Sequence, residues 1–296
     1  MHETLEGMLA AGIDAVVLAT PNAAHVEQGL ACVAAGVPAL VEKPLATDAG
    51  EGARLVAAAA RAGVPLLTGH HRRHDPRIAT ARMVIGAGRI GAVRAVQATC
   101  WLAKPDAYFA AAPWRTKAGA GPGSVNMIHE LDLMRHLVGE VGEVRAVAVP
   151  SRRGHEPEDL VAAILCFASG AVGTISVSDA VAAPWSWEMT AGENPAYPPT
   201  DQSSFLIGGS EGSLSLPDLR VWRHSGTPDW MTEIGATTLL REPGNPLVRQ
   251  MANLADVVRG VADPVCSGAE GLRTLRVLEA IHASARNGAT VQVAPR

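Results

Sequence analysis

Two patterns of hydrophobic residues follow each other along the chain, and the first occupies residues 1–70. Short apolar runs, typical of strands buried on both faces of a sheet, alternate with segments of helical spacing that end at glycine. The strands are predicted at 14–20, 38–44 and 64–70. The helices are predicted at 2–12, 25–36 and 47–63. Such alternation predicts a parallel sheet that is covered by helices.

In the second pattern most strand-like runs follow one another directly. Turns at 169–171 and 210–212 join neighbouring runs, as in antiparallel hairpins. The strands are predicted at 92–102, 143–150, 159–169, 171–181, 203–216 and 219–224. The helices are predicted at 124–139, 245–260 and 268–288. Polar and apolar residues alternate within 171–181, which predicts a sheet with one face wetter than the other.

The aromatic residues support a division of the chain. All six Trp, both Tyr and all three Phe lie after residue 100, beginning with Trp101. A length of 296 residues is enough for about two domains. We therefore predict one domain at 1–70 and a second at 71–296.

Charge and composition exclude several classes of protein. The net charge is −4 without a basic block, so no nucleic acid is expected as a partner. No apolar run approaches the ~18 residues of a membrane span, and the first residues do not resemble a secretory signal. The four cysteines lie far apart, so neither a metal site nor a disulfide framework is expected. A cytoplasmic location follows from these features.

The residues GAGRIG at 86–91 have the spacing of a dinucleotide-binding loop. That loop follows a strand and opens a helix, because the helix N-terminus binds the phosphates. Here a helical pattern precedes the glycines and a strand pattern follows them. The sequence therefore predicts a helix end and a turn at this point.

Three other segments carry polar residues where chemistry is expected. TPNAAH at 20–25 and EKP at 42–44 follow predicted strands, and ligands bind at the carboxyl ends of strands in such sheets. In NMIHELD, Asn126 and His129 share one face of a helix. The preceding GAGPG at 119–123 is expected to allow a ligand to approach closely. Each segment also has a structural interpretation, as a helix cap, a surface ion pair or a core histidine.

These segments belong to an ordered series of motifs. TPN-x-x-H comes first, and EKPLA, G-x-x-x-R-x-x-P, G-R-I-G-x-V, P-W-R and N-x-I-H-x-x-D follow. The series resembles the glucose–fructose oxidoreductase/inositol dehydrogenase family (Gfo/Idh/MocA) over nearly the whole chain. The resemblance implies an α/β fold in which a truncated Rossmann-type parallel sheet precedes an α+β domain with an open, mainly antiparallel sheet. It also implies NAD or NADP as cofactor, and hydride transfer between nicotinamide and a hydroxyl-bearing carbon of a sugar, polyol or cyclic diol.

The resemblance assigns roles to individual residues. Lys43 and His129 match the catalytic positions, where the lysine helps to deprotonate the substrate hydroxyl and the histidine is the acid/base. The matches to cofactor-binding positions are Thr20, Pro21, Asn22, His25, Glu42, Lys43, Pro44 and Arg73. The matches to substrate-binding positions are Lys43, Trp114, Arg115, Asn126 and His129. No metal ligand is implied.

The sequence departs from the family in two respects. The aspartate that many members carry four residues before the histidine is Val125 here, and Asn126 cannot take a proton. The base is then His129, Lys43 or the two together. The family's glycine fingerprint has no counterpart before the strand at 14–20, so we expect ~40–60 residues to be missing ahead of Met1. The residue that distinguishes NAD from NADP would lie in the same part.

Two other functions stay open, and one assembly is predicted. The chain could be a lyase or glycosidase that uses NAD transiently, or a truncated non-catalytic paralogue that serves in binding or oligomerisation. In the segment 184–199, Trp185, Trp187 and Tyr197 carry large apolar surfaces that need cover. We therefore predict a homodimer or homotetramer through the C-terminal sheet, with this segment at or near the contact.

Overall fold

A computed structural model describes residues 2–293, which form two compact units. Unit 1 contains residues 2–75 and 244–279, and unit 2 contains residues 76–243 and 280–293. Residues 244–279 thus belong to the same compact unit as the N-terminal part of the chain. The domain boundary at residue 70 stays a prediction.

The helices and strands of both units are as follows, in chain order. The helices are α1 (Leu5–Ala10), α2 (His25–Ala34), α3 (Ala49–Ala62), α4 (Pro76–Gly86), α5 (Asp106–Ala110), α6 (Pro122–Val125), α7 (Met127–Val138), α8 (Trp187–Thr190), α9 (Pro246–Val258) and α10 (Gly268–Asn287). The strands are β1 (Val16–Leu18), β2 (Ala39–Val41), β3 (Leu66–Thr68), β4 (Val93–Trp101), β5 (Val141–Pro150), β6 (Glu158–Phe167), β7 (Val172–Ser178), β8 (Phe205–Gly209), β9 (Ser213–Leu216), β10 (Arg220–His224), β11 (Ile234–Thr238) and β12 (Val291–Gln292).

Unit 1 is built on a parallel sheet of three short strands in the order β1-β2-β3. Every residue of β2 and β3 is buried, as the uninterrupted apolar runs predict. Leu40 and Leu67 from these strands form a core cluster with Leu254 and Val257, so α9 covers part of the sheet. β1 is an edge strand, and its Val17 is 43% exposed.

Unit 2 is built on a nine-stranded sheet in the order β11-β10-β9-β8-β4-β7-β6-β5-β12. All neighbours are antiparallel except β4 and β7, which the chain joins through several helices and the β5–β6 hairpin. α7 packs on one face of this sheet. Gly173 in β7 permits the close approach, because a Cβ there would lie 2.8 Å from Met134 Cε. The predicted parallel sheet followed by a mainly antiparallel one is confirmed.

The opposite face of the unit 2 sheet lacks such a cover within the described residues. The alternation predicted for β7 is confirmed, because Ile175 and Val177 are buried whereas Val172 and Thr174 are exposed. The large apolar side chains exposed on this face are Val147, Ile164, Val172 and Leu206. We call this surface the open face. It contains a depression of about 370 Å³.

The motif GAGRIG lies at the end of α4 and leads into β4, so the predicted helix end and turn are confirmed. Gly88 and Gly91 adopt positive φ angles of 67° and 69°, which favour glycine. A Cβ at Gly91 would also lie 2.3 Å from Ser210 Oγ. The glycines therefore serve the junction between a helix and a strand.

None of the described helices combines the length and apolar character needed to cross a membrane. No disulfide joins the four cysteines, all of which lie in the part of the chain that the structure describes.

Candidate active site

The loop after β1 carries the first group of candidate residues in unit 1. Thr20 is fixed to α2, because its Oγ1 donates a hydrogen bond to Gln28 Oε1 at 2.6 Å. Pro21 and Asn22 are exposed. The loop thus presents part of its backbone and the Asn22 amide to solvent at the carboxyl end of a parallel strand, where ligands of such sheets bind.

His25 connects this loop to the loop after β2. Its side chain is fully buried, with Nδ1 2.9 Å from the carbonyl oxygen of Pro44 and Nε2 2.9 Å from that of Thr20. A carbonyl oxygen only accepts hydrogen bonds, so the ring nitrogen that carries the proton donates to the carbonyl that it faces. His25 therefore holds the TPN and EKP segments together, and its predicted contact with a cofactor stays a prediction.

The EKP segment is shaped by its own glutamate. Glu42 Oε2 accepts a hydrogen bond from the backbone N–H of Lys43 at 3.2 Å. The Glu42 side chain packs against Gly69, where a Cβ would lie 2.9 Å from Glu42 Cδ. The Lys43–Pro44 peptide bond is cis. Lys43 itself is half-buried, directly after the buried strand β2.

Arg73, the remaining cofactor candidate, is buried in unit 1. Its Nη2 lies 3.0 Å from Glu270 Oε2, and its side chain is 3% exposed. Glu270 also forms an ion pair with Arg273. The Arg73 guanidinium thus takes part in an ion-pair network with α10, and its predicted contact with nicotinamide stays a prediction.

In unit 2 the candidates Asn126 and His129 lie at the start of α7. His129 is 9% exposed, and its backbone N–H donates to the Asn126 carbonyl oxygen at 3.0 Å. Asn126 Oδ1 accepts a hydrogen bond from Lys104 Nζ at 2.8 Å. Asn126 and Lys104 both line a cavity of about 550 Å³ within this unit.

Trp114 and Arg115 differ in their surroundings. The Arg115 guanidinium stacks on the Tyr108 ring, 3.9 Å from its centroid, and Nη1 donates to the Tyr108 carbonyl oxygen at 2.6 Å. Tyr108 lines the same cavity as Asn126, so Arg115 is connected to it through this ring. Trp114 is 57% exposed.

Sequence reasoning missed the cavity residues Lys104, Tyr108 and Tyr197. One signal could have found the lysine. Lys104 and Pro105 directly follow the strand segment of β4, much as Lys43 and Pro44 follow β2. The tyrosines carried no pattern that distinguishes them from core aromatic residues.

The GAGPG segment has a role that differs from the one expected. A Cβ at Gly121 or Gly123 would lie 2.3 Å or 2.7 Å from Glu158 Oε1, and the N–H of Gly123 donates to this oxygen at 3.1 Å. These glycines therefore admit a carboxylate of the protein rather than a ligand. Burial raises the pKa of Glu158, although the hydrogen bonds from its own and the Gly123 backbone N–H act in the opposite direction.

Trp187 also departs from expectation. It is fully buried in unit 2, where its ring meets Phe205 edge to face at 5.9 Å and its Nε1 donates to Glu193 at 2.6 Å. The assumption that a partner must cover Trp187 was wrong, because its own chain does so. Trp185 remains 39% exposed.

No metal ligand was expected from the sequence, and the described residues contain one group with the geometry of candidate ligands. Cys100, Glu130 and Glu188 offer ligand atoms that lie within 4.8 Å of one another. Cys100 Sγ already donates to Glu188 Oε2 at 3.8 Å, so we treat the group as part of the packing of unit 2.

Residues 2–293 fit one part of a dinucleotide site. The TPN and EKP loops, joined by His25, present groups at the carboxyl ends of β1 and β2. A glycine loop that opens a helix after a strand, as needed for the diphosphate, is absent from the residues that the structure describes. The fit is therefore to the segments that the family resemblance places along the nucleotide, for TPN, and beside the nicotinamide, for EKP.

Comparisons with family models match both parts of the chain. Residues 2–70 match the "Oxidoreductase family, NAD-binding Rossmann fold" model, and residues 78–215 match the "GFO/IDH/MocA C-terminal domain" model. Together the two matches cover more than two thirds of the chain.

Among curated proteins, 1,5-anhydro-D-fructose reductase of Ensifer adhaerens is 27% identical over 281 residues, covering 95% of this chain and 80% of its own length. The NADP-dependent scyllo-inositol 2-dehydrogenase of Bacillus subtilis is 25% identical and covers 99% of this chain and 82% of its own length. Among solved structures, the WlbA dehydrogenase of Bordetella pertussis, in complex with NADH and UDP-GlcNAcA, is 28% identical with a TM-score of 0.76. That similarity covers 99% of this chain and 83% of WlbA.

Proposed function

The chain belongs to the GFO/IDH/MocA family of NAD-binding oxidoreductases, and from this premise we propose its reaction. It transfers a hydride between the nicotinamide of NAD or NADP and a hydroxyl-bearing carbon of a sugar, polyol or cyclic diol. The observation that carries this proposal is the pair of His25 contacts, 2.9 Å each, that hold the TPN and EKP segments together. Two segments assigned to one cofactor by the resemblance are thereby joined in space.

The residues proposed to hold the cofactor lie on these two loops. Thr20, Pro21 and Asn22 follow β1, and Glu42 and Pro44 follow β2. His25 acts through these loops, because its ring is buried and bonded to their carbonyl groups. Arg73 is a weaker candidate, since its guanidinium is buried beside Glu270.

We assign the proton of the substrate hydroxyl to Lys43 and His129. The Lys43 ammonium is a hydrogen-bond donor that can bind the substrate hydroxyl and exchange a proton with it. An imidazole changes its charge in the physiological range, which suits an acid/base. Asn126 lies next to the position at which many members of the family carry an aspartate. Its amide orients neighbouring groups but cannot take a proton.

The proposed substrate class rests on the named relatives and on the cavity in unit 2. The relatives act on an anhydrosugar and on an inositol. The cavity of about 550 Å³ has the volume of a small-molecule site, and Tyr108 and Tyr197 offer aromatic surfaces on which a sugar ring packs.

The proposal is tested by incubating the protein with NAD or NADP and a panel of aldoses, anhydrosugars and inositols. Appearance of NAD(P)H fluorescence with at least one compound is expected. Consumption of a glycoside without net NAD(P)H would instead favour the lyase or glycosidase. A fluorescence titration in which neither NADH nor NADPH binds would favour the non-catalytic alternative.

We also propose a cytoplasmic homodimer or homotetramer assembled through the open face. The exposure of Val147, Ile164, Val172 and Leu206 on one surface supports this, because apolar patches of this kind mark interfaces. Light scattering of the purified protein at micromolar concentration tests the assembly, and a stable monomer would contradict it.

A further inference from the structure

The cavity in unit 2 contains an unusual polar group. Of its twelve lining residues, eight are apolar, and the polar ones are Lys104, Tyr108, Asn126 and Tyr197. Lys104 is the one charged residue among them, and none of the described lining residues is a carboxylate. A ligand in this cavity therefore meets one cation, whose neighbouring carboxylate, Asp179, is not among the lining residues.

The bond between Lys104 and Asn126 sets the direction of the amide. Asn126 Oδ1 accepts from Lys104 Nζ at 2.8 Å, so its NH₂ group points away from the ammonium and is a donor. Asn126 occupies the N-cap position of α7, yet its side chain makes no cap hydrogen bond. Asparagine is among the best residues at this position because it normally caps the helix, a contribution of ~1 kcal/mol. Here Asn126 also ends α6 and has helical backbone angles, and its side-chain oxygen binds the lysine.

Lys104 is buried and incompletely compensated. Its side chain is 10% exposed, and Nζ lies 3.7 Å from Asp179 Oδ2 and 5.2 Å from the centre of the Tyr108 ring. Asp179 also pairs with Arg153 at 3.4 Å, so one carboxylate is shared by two cations. Burial lowers the pKa of Lys104, although Asp179 and Glu188 act in the opposite direction. An anion in the cavity would restore stabilisation that the ammonium lost on leaving water.

We propose that Lys104 and Asn126 form a subsite for the carboxylate of a sugar acid. An ammonium has three donors, and the partners of Lys104 among the described residues leave one for a ligand. With the Asn126 NH₂ group, the cavity offers two neighbouring donors. A carboxylate only accepts hydrogen bonds, and its bonds to these donors are the stronger, charge-assisted kind, which a hydroxyl of a neutral sugar cannot match.

This inference rests on the proposed function for its ligand class, a sugar, but its test does not require hydride transfer. Binding to the purified full chain is measured by calorimetry without cofactor. The probes are D-glucuronate and D-galacturonate, each compared with D-glucose or D-galactose, which lack the carboxylate. At least one acid is expected to bind roughly tenfold more tightly than its neutral counterpart, as one charge-assisted hydrogen bond would give.

Lys104→Met should remove this preference, because it keeps the length of the side chain and deletes the ammonium. Lys117→Met is the matched control, since Lys117 is 66% exposed and pairs with Glu156 outside the cavity. Asn126→Asp is a second variant, nearly isosteric, that replaces a donor with an anion and should reverse the preference. It keeps the test decisive if Lys104→Met does not fold.

Three results would overturn the proposal. They are equal binding of acid and neutral sugar, failure of both acids to bind at millimolar concentration, and a preference for the acid that survives in both cavity variants. If an acid binds as expected but no NAD(P)H forms with any compound, the subsite stands and the proposed dehydrogenase fails. If neutral sugars are oxidised and the acids do not bind, the reverse holds.

Discussion

The sheets of the two units differ in how their faces are covered. In unit 1, every residue of β2 and β3 is buried, and α9 supplies part of the cover. In unit 2, residues of β7 alternate between buried and exposed, and α7 packs on one face alone. In β2 and β3 an uninterrupted apolar run therefore reports that both faces are covered by the chain itself, whereas the edge strand β1 leaves Val17 exposed. The alternation in β7 reports a surface that is left for solvent or for another molecule.

The difference extends to the polar residues. At the carboxyl ends of β1 and β2 the polar groups lie on loops held by hydrogen bonds to the backbone, as His25 shows. In unit 2 the polar groups Lys104 and Asn126 bind each other at the wall of a cavity. The loops of unit 1 suit contact with a cofactor, and the cavity of unit 2 suits recognition of a substrate.

The largest effect is expected from removing one proposed catalytic group in each unit. Lys43→Ala and His129→Ala should each lower kcat by ~10²–10⁴, the usual contribution of general acid–base catalysis. The affinity for NADH should change much less. Neither side chain is proposed to hold the cofactor through its charge alone, so other contacts with the cofactor remain. Steady-state kinetics with the best substrate of the panel measure both effects.

Each control variant changes a residue of the same type as one of the two proposed catalytic residues. His136→Ala changes another histidine of α7, one that contacts Arg82 at the protein surface, and Lys117→Ala changes an exposed lysine. Both should keep near-normal kcat. If Lys43→Ala and His129→Ala also turn over normally, the assignment of the proton to these two groups is wrong.

The next effect concerns stability and compares covered positions with the open face. Leu67→Ala in unit 1 and Ile175→Ala in unit 2 remove buried side chains, each 2% exposed, and should each cost about 2–5 kcal/mol of unfolding free energy. Ile164→Ala, on the neighbouring strand but 48% exposed, should cost much less in dilute solution. Urea denaturation measures all three. Equal losses for Ile164→Ala and Ile175→Ala would show that the open face is covered after all.

Most of this architecture could be predicted from the sequence because hydrophobic periodicity reports burial. The longer helices and the main strands lie within a few residues of the predicted segments, whereas the short helices α5 and α8 and the strand β12 were not predicted. The run 203–216 forms two strands, β8 and β9, on either side of the predicted turn at 210–212. β11 was missed, since each of its five residues is exposed and its sequence IGATT shows no alternation.

The candidate site was predicted less completely, for a physical reason. A motif such as TPN or EKP identifies residues next to one another in the chain, and these stayed together. Lys104 meets Asn126 and Asp179 only through folding, so their spacing carries no signal. The pairing of α9 with β2 and β3 was likewise invisible, because an amphipathic helix indicates that one face is buried without naming what buries it.

A smaller effect, on the mass of the oligomer, distinguishes two surfaces through which subunits can associate. Ile164→Lys places a charge on the open face of unit 2 and should reduce the mass of the oligomer, since burying an unpaired ammonium is costly. Val17→Lys places the same charge on β1, the edge strand of unit 1, where the side chain is 43% exposed. Light scattering at matched concentrations distinguishes them. A loss of mass in Val17→Lys alone would mean that subunits associate through the sheet edge instead.

The smallest effect is a change of stability with pH that comes from two carboxylates, Glu156 and Glu158. They are two residues apart, and they differ in the same way between exposed and covered surroundings. Burial raises the pKa of Glu158, so the folded protein binds a proton more tightly than the unfolded chain. Stability therefore falls as pH rises from the ordinary glutamate range through the raised pKa, and is constant beyond it. A hydrogen bond from Lys117 lowers the pKa of the exposed Glu156, so its contribution is present above the ordinary range and is lost in acid.

Replacing each glutamate by glutamine should change the melting temperature in opposite directions. Glu158→Gln keeps an acceptor for the Gly123 N–H and removes the buried charge, so it should raise the melting temperature at neutral pH. Glu156→Gln weakens the bond with Lys117 and should lower the melting temperature slightly, because exposed ion pairs contribute little. The difference for Glu158→Gln should vanish when the pH falls below the ordinary glutamate pKa, whereas the difference for Glu156→Gln should vanish only when the pH also falls below the lowered pKa of Glu156. A melting temperature of Glu158→Gln that lies below that of the unchanged protein across the whole pH range would show that water, and not the interior of unit 2, surrounds this carboxylate.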